Sequence, residues 1–216
     1  MYRNHLLWSP WQCDPEFVGL NLIANTQGSM VDTWRMFHLW EIAKSIRHMH
    51  GSVAEMGVFR GGSLYMLSRV LRKETLIEGY DTFTGMPDKH ESDSHKAGDF
   101  KNTSLEDVQR FIGKDYGNVK LIPGFFPDSV VNKFKRSYSL VHIDCDIYKS
   151  VMDCCEFFYP NMCDGGVMVF DDYGFDSCKG AKLAVDEFFA DKNDRPIYLS
   201  SGQAIVFRKK KGRLWL

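Results

Sequence analysis

Apolar and polar positions along this chain switch repeatedly between a helical and a strand rhythm. Between residues 31 and 49, Met36, Phe37, Leu39, Trp40, Ile42, Ala43 and Ile46 recur at helical spacing, with Arg35, Glu41, Lys44 and Arg47 between them. This predicts an amphipathic helix. Residues 52–56 then read as a strand, the glycines at 57, 61 and 62 as a loop, and residues 63–71 as a helix. A second strand over 76–80 ends at Asp81. The stretch to Phe100, rich in Asp, His, Lys, Ser and Gly, predicts a long mobile loop, either a lid that closes over a site or a disordered insert. Thr103-Ser104-Leu105-Glu106 has capping-box spacing and opens a helix to about residue 112, with a third strand over 119–122. Two further apolar runs end at Asp144 and Asp171, with a helix over about 149–158 between them. A last helix over about 179–189 and a hairpin formed by 197–199 and 204–207 complete the pattern. Alternating strands and helices imply an α/β fold with a doubly wound, mainly parallel sheet and an antiparallel C-terminal hairpin.

With 216 residues and no repeat or linker, the chain is expected to form one domain. It divides into a helical N-terminal cap (1–50), a core (51–208) and a basic tail (209–216). The net charge of -1 gives no reason to expect nucleic acid as a partner, and no apolar run reaches membrane-spanning length. Cytoplasm is the expected location, without a signal-type N-terminus. The six cysteines show no zinc-type spacing and read as buried, reduced thiols. The charge run from Arg208 to Arg213 reads as a solvated tail.

The chemistry concentrates where the fourth and fifth apolar runs end, at Asp144-Cys145-Asp146 and Asp171-Asp172. Buried strands that stop in acid deliver carboxylates to the carboxyl edge of the sheet, where open α/β folds place their sites. Like charges this close repel, and a hard divalent cation is the simplest neutraliser. Along the fourth strand, Asp144 and Asp146 are expected to project on the same face, about 6.6 Å apart. His142 reads as a packed or hydrogen-bonded strand residue, and Trp8, Trp11, Trp34 and Trp40 as core packing rather than a sugar pocket or a subunit contact.

Between the first strand and its helix lies Glu55-x-Gly57-x-x-x-Gly61-Gly62-Ser63. A dinucleotide fingerprint would place glycine where Phe59 stands, and a phosphate loop would place lysine where Ser63 stands. What remains is a glycine turn for a ligand without phosphates, with Glu55 available to a cationic group. Asp81, 24 positions beyond Gly57, is near the offset at which an acid meets ribose hydroxyls.

These segments resemble the macrocin O-methyltransferase family (TylF type) of S-adenosylmethionine- and magnesium-dependent enzymes. The likeness runs from about residue 33 to 208. Its most specific parts are Glu55-Met56-Gly57-Val58-Phe59-Arg60-Gly61-Gly62-Ser63, Asp81-Thr82-Phe83-Thr84-Gly85-Met86-Pro87, Gly124-Phe125-Phe126-Pro127-Asp128-Ser129 and Asp144-Cys145-Asp146-Ile147-Tyr148-Lys149-Ser150. The resemblance implies that Glu55, Gly57, Gly61, Ser63 and Asp81 contact the methyl donor. It also implies that Asp144, Asp171 and Asp172 hold Mg2+ or another hard divalent cation, with Asp146 as the base. The acceptor would be a small-molecule hydroxyl on a sugar or glycoside, and assembly into a homo-oligomer stays open. The rival readings are a metal-dependent sugar-nucleotide glycosyltransferase and a non-catalytic binding module of the same fold.

Overall fold

The alternation of strand and helix is realised in a computed structural model, which describes residues 9–87, 91, 93–114, 116–130 and 136–209. Trp8, His90 and the tail from residue 210 lie outside the described residues. Helices α1 (Pro15–Gln27) and α2 (Thr33–Ile46) precede strand β1 (Ser52–Met56). Then follow α3 (Gly62–Val70), β2 (Ile77–Asp81), α4 (Leu105–Ile112), β3 (Val119–Pro123), β4 (Tyr138–Ile143) and α5 (Tyr148–Phe158). The chain continues through β5 (Met162–Phe170), α6 (Lys179–Phe189), β6 (Ile197–Tyr198) and β7 (Ala204–Phe207). The sheet order is β3-β2-β1-β4-β5-β7-β6. The first five strands pair in parallel, and β7 is antiparallel to both β5 and β6.

Three local expectations differ from what forms. The first is α1, which carries Phe17, Val18, Leu20, Leu22 and Ile23 around most of its circumference rather than along one stripe, leaving Val18 and Leu22 exposed. Its ends are nonetheless well marked. Asp14 accepts from the Phe17 amide, Pro15 opens the helix, and Gly28 closes it with φ 88°. The second difference is at α4, where the cap lies one residue later than the Thr103–Glu106 reading. Ser104 Oγ accepts from Asp107 N at 3.1 Å and donates to the Asp107 carboxylate at 2.8 Å. Thr103 instead donates to the Phe59 carbonyl oxygen. The third concerns the cysteines. Cys154, Cys155 and Cys178 are buried, but Cys13 is exposed and Cys145 and Cys163 are half-buried.

Period-two alternation sorts the strand side chains into two cores, one on each face of the sheet. Val53, Ile77, Leu140, Val167, Val169 and Ile205 pack against α1, α2, α3 and α4. Ala54, Met56, Val141, Ile143, Met168 and Phe170 pack against α5 and α6. At the centre of the second core, the fully buried ring of Phe158 stacks on Phe126 at 5.4 Å and meets Tyr138 edge-on at 5.0 Å. The same parity places Glu55, His142 and Gln203 on the α2 face. One residue past β5, Asp171 continues on that face, and Asp172 falls on the other.

Replacing Phe158 by Ala is expected to cost about 3–5 kcal/mol, because the surrounding rings cannot close the cavity. A chemical-denaturation midpoint unchanged from the parent would contradict this view of the core.

Candidate active site

The carboxyl ends of β1, β2, β4 and β5 open into a cavity of about 330 Å³. The parallel ladder extends one step beyond these strands. Asp144 N donates to Met56 O at 2.9 Å, Asp171 N to Ile143 O at 2.9 Å, and Gly57 N to Tyr80 O at 3.0 Å. The exits of β1 and β4 therefore run against each other. Gly57 sits there with φ 84°, and a Cβ at this position would collide with the Asp144 carbonyl oxygen. Glycine is needed for both reasons.

Beneath the cavity lies a buried polar layer. His142, wholly inaccessible, places Nδ1 2.8 Å from Glu55 Oε1 and Nε2 3.3 Å from Asp171 Oδ1. Asp171 also accepts from Gln203 Nε2 at 2.8 Å and from the Arg35 guanidinium. Burial would drive the His142 ring towards its neutral form. The hydrogen bonds and charges of Asp171 and Glu55 outweigh that and raise its pKa well above the usual imidazole value. Burial likewise favours protonation of Asp171, yet His142, Arg35 and Gln203 hold its carboxyl below the ordinary range.

Above this layer, Asp144, Asp146 and Asp172 bring carboxylate oxygens within 4.8 Å of one another, and all three line the cavity. They do not share a strand face. Strand β4 ends at Ile143, and Asp146 lies in a turn with φ 58°, its amide donating to Asp172 Oδ2 at 2.9 Å. Burial, with the charge of Asp171 next, pushes the Asp144 carboxyl well above its usual range. Burial, with Asp146 and Asp144, does the same to Asp172, and burial raises Asp146 as well. These are crowded carboxyls, one buried and two half-buried, and a hard cation suits an all-oxygen set of this kind.

The acids expected to act together thus divide. Asp144, Asp146 and Asp172 face the cavity, whereas Asp171 lies underneath, within 4.8 Å of Asp144 and His142 but already bonded to three partners. The residues expected at the donor divide as well. Gly57 and Asp81 line the cavity. Asp81 accepts from Phe59 N and Phe83 N, both at 2.7 Å, which ties the glycine loop to the exit of β2 and leaves lone pairs for further donors. Glu55 is buried against His142, Gly61 caps α3 with φ 82°, and Ser63 is buried in the first turn of α3. None of these three is part of the cavity wall. Sequence reading gave no role to Tyr80, Phe126, Phe175 or Cys178, which do line it. Phe126 lay inside a motif noted for its resemblance, but nothing in its spacing pointed to the cavity.

The model of the macrocin-O-methyltransferase (TylF) family matches residues 23–209. The chain belongs to this family. Among curated relatives, it is 31% identical over 147 residues to the 8-demethyl-8-(2,3-dimethoxy-alpha-L-rhamnosyl)-tetracenomycin-C 4'-O-methyltransferase of Streptomyces olivaceus, covering 61% of this chain and 56% of that protein. It is 30% identical over 150 residues to the mycinamicin III 3''-O-methyltransferase of Micromonospora griseorubida, covering 61% and 58%. The matched region is therefore little more than half the length of these relatives. The solved O-methyltransferase NovP superposes with a TM-score of 0.74 over 84% of this chain and 82% of its own, at 24% identity. This likeness shows a Rossmann-like methyltransferase fold for this chain, whose own C-terminal strands are antiparallel.

Two outcomes follow from the geometry. Gly57→Ala should destabilise the fold by more than about 2 kcal/mol, since it adds a left-handed-region penalty to a backbone collision; an unchanged melting temperature would contradict the close approach. Asp144 and Asp172 have raised pKa values, so their mutual repulsion in the folded state grows as pH rises above the unfolded carboxyl range. The gain in melting temperature on adding magnesium chloride should therefore increase between about pH 5 and about pH 8, and shrink in Asp172→Asn. A gain independent of both would argue against cation binding at these acids.

Proposed function

We propose that this chain transfers a methyl group from S-adenosylmethionine to a hydroxyl of a sugar or glycosylated small molecule, with a divalent cation, Mg2+ or a similar hard ion, as cofactor. The observation that carries this reading is the set of cavity-facing carboxylates, Asp144, Asp146 and Asp172, beside the Gly57 and Asp81 turns. The two relatives described above are named for methylating sugar hydroxyls of glycosylated natural products, which supports the same acceptor class. Family membership removes support from the sugar-nucleotide glycosyltransferase reading.

In this reading the turn at Gly57 presents its backbone to the donor, and the remaining lone pairs of Asp81 accept from its ribose hydroxyls. Asp144 and Asp172 hold the cation. Asp171 joins them only by giving up a bond to Arg35, His142 or Gln203; in place, it anchors the loop that carries Asp172. Glu55, Gly61 and Ser63 serve the donor indirectly, by shaping the turn around Gly57. A cation held there would supply positive charge to offset the negative charge on the acceptor oxygen.

Asp146 takes the proton. Its side chain is 19% exposed and its pKa is raised by burial, which makes it a stronger base than a surface carboxylate. The amide bond to Asp172 holds the backbone of its turn while the side chain faces the cavity. One domain and a cytoplasmic setting fit this chemistry, and among the described residues no helix is long and apolar enough to cross a membrane.

Asp146→Asn should lower kcat by about 10²–10⁴-fold while calorimetric binding of S-adenosylmethionine is retained. Turnover near that of the parent would remove Asp146 as base. If a panel of glycosylated acceptors were methylated equally well after chelation, metal dependence would be lost from the proposal.

A further inference from the structure

Asp146 takes part in a second constellation, of different chemistry. Its Oδ1 lies 3.4 Å from Cys178 Sγ and 3.6 Å from His95 Nε2, and that nitrogen is 3.7 Å from the same sulfur. Cys178 comes from the turn before α6, and His95 from the loop between β2 and α4. Oxygen, nitrogen and sulfur thus form a nearly equilateral triangle at the cavity wall, to which all three residues contribute.

The His95–Asp146 edge is too long for a good hydrogen bond, and the His95–Cys178 edge is at the long end for one to sulfur. They suit a different arrangement. With Zn–S about 2.3 Å, Zn–N about 2.0–2.1 Å and Zn–O about 2.0–2.2 Å, a tetrahedral zinc ion separates its ligand atoms by about 3.3–3.6 Å. The triangle matches these edges to within a few tenths of an ångström. On its other side, His95 Nδ1 is 3.7 Å from Asp99 Oδ2, longer than a hydrogen bond but on the side from which a carboxylate can orient a metal-bound imidazole. Three protein ligands with a fourth direction open to a cavity is the pattern of a zinc site that keeps an exchangeable position.

We propose that His95, Asp146 and Cys178 form a second cation site, separate in preference from the acid cluster, that takes a thiophilic divalent ion of the zinc class. Binding replaces the thiol proton, which leaves to solvent as the sulfur–metal bond forms. Magnesium does not compete well for this set, because a thiolate and an imidazole are poor ligands for a hard ion. The acid cluster and this site share Asp146. If Asp146 is the base, as proposed above, an ion held by Cys178 and His95 withdraws it from the acceptor, so magnesium activates and zinc inhibits.

The probe is cobalt(II), added to the reduced full chain in excess magnesium. The expected result is the intense visible absorption of four-coordinate cobalt with a thiolate-to-cobalt charge-transfer band. Cys178→Ser should abolish that band, and His95→Ala, on a loop where a folding defect is least expected, should lose the four-coordinate spectrum. Asp99→Asn should weaken binding by about 10-fold, and Asp144→Asn should retain the spectrum. A weak six-coordinate spectrum in the parent protein, or a charge-transfer band that survives in Cys178→Ser, would overturn the site. Turnover is measured alongside. Zinc should inhibit the parent and lose that effect on Cys178→Ser. A four-coordinate spectrum without inhibition upholds the site and removes Asp146 as base.

Discussion

The imidazole of His142, held between two buried carboxyls, is the interaction on which the cleft stands. It links the ends of β1, β4 and β5 at one level, since Glu55, His142 and Val169 are in register across the sheet and Asp171 follows one step on. Gln203 and Arg35 extend the layer to the turn before β7 and to α2. Removing one partner from a buried ion pair typically costs about 3–5 kcal/mol, because the other charge is left without compensation. The sign of each shift defines where the layer is intact. Asp171, with a lowered pKa, contributes stability above the ordinary carboxyl range and loses it as pH falls through the folded value. His142, with a raised pKa, contributes below the ordinary imidazole range and loses it as pH rises through the folded value.

Two adjacent aspartates therefore have opposite electrostatic fates. Strand parity turns Asp171 down into a layer that neutralises it and Asp172 up towards acids that repel it. The lower residue stabilises the fold, and the upper one leaves repelling charge at the cavity wall. Gly57 joins the two levels. Its lack of a side chain lets the β1 exit run against Asp144, which brings the acid cluster beside the glycine turn.

Much of this architecture was legible in the chain. The period-two runs of β1, β4 and β5 and the helical stripe of α2 gave their elements directly, and carboxylates after buried strands pointed to the sheet's carboxyl edge. What stayed hidden has physical causes. The apolar residues of α1 are spread around the helix, so no stripe announces it, although Asp14, Pro15 and Gly28 bracket it. At α4, adjacent Thr103 and Ser104 offer two caps, and the Thr103 hydroxyl is taken by Phe59. Asp146 was assigned to a strand because alternation continues through Cys145, but the chain turns there with positive φ. Asp171 looks equivalent to Asp172 in the sequence because its partners His142, Gln203 and Arg35 lie 29, 32 and 136 positions away and no local pattern connects them. His95 and Cys178 were invisible as a pair for the same reason.

Arg35 carries a consequence for anyone recombining this chain with its relatives. Helix α2 resembles an outer cap that an engineer would exchange to change acceptor preference, yet its guanidinium supplies counter-charge to a carboxyl at the heart of the sheet. A chimera with a foreign cap lacking a cation at that position would inherit the active-site loops intact and still be electrically unbalanced beneath them. Crossover points are better placed so that Arg35, Gln203 and the Asp171-Asp172 pair travel together.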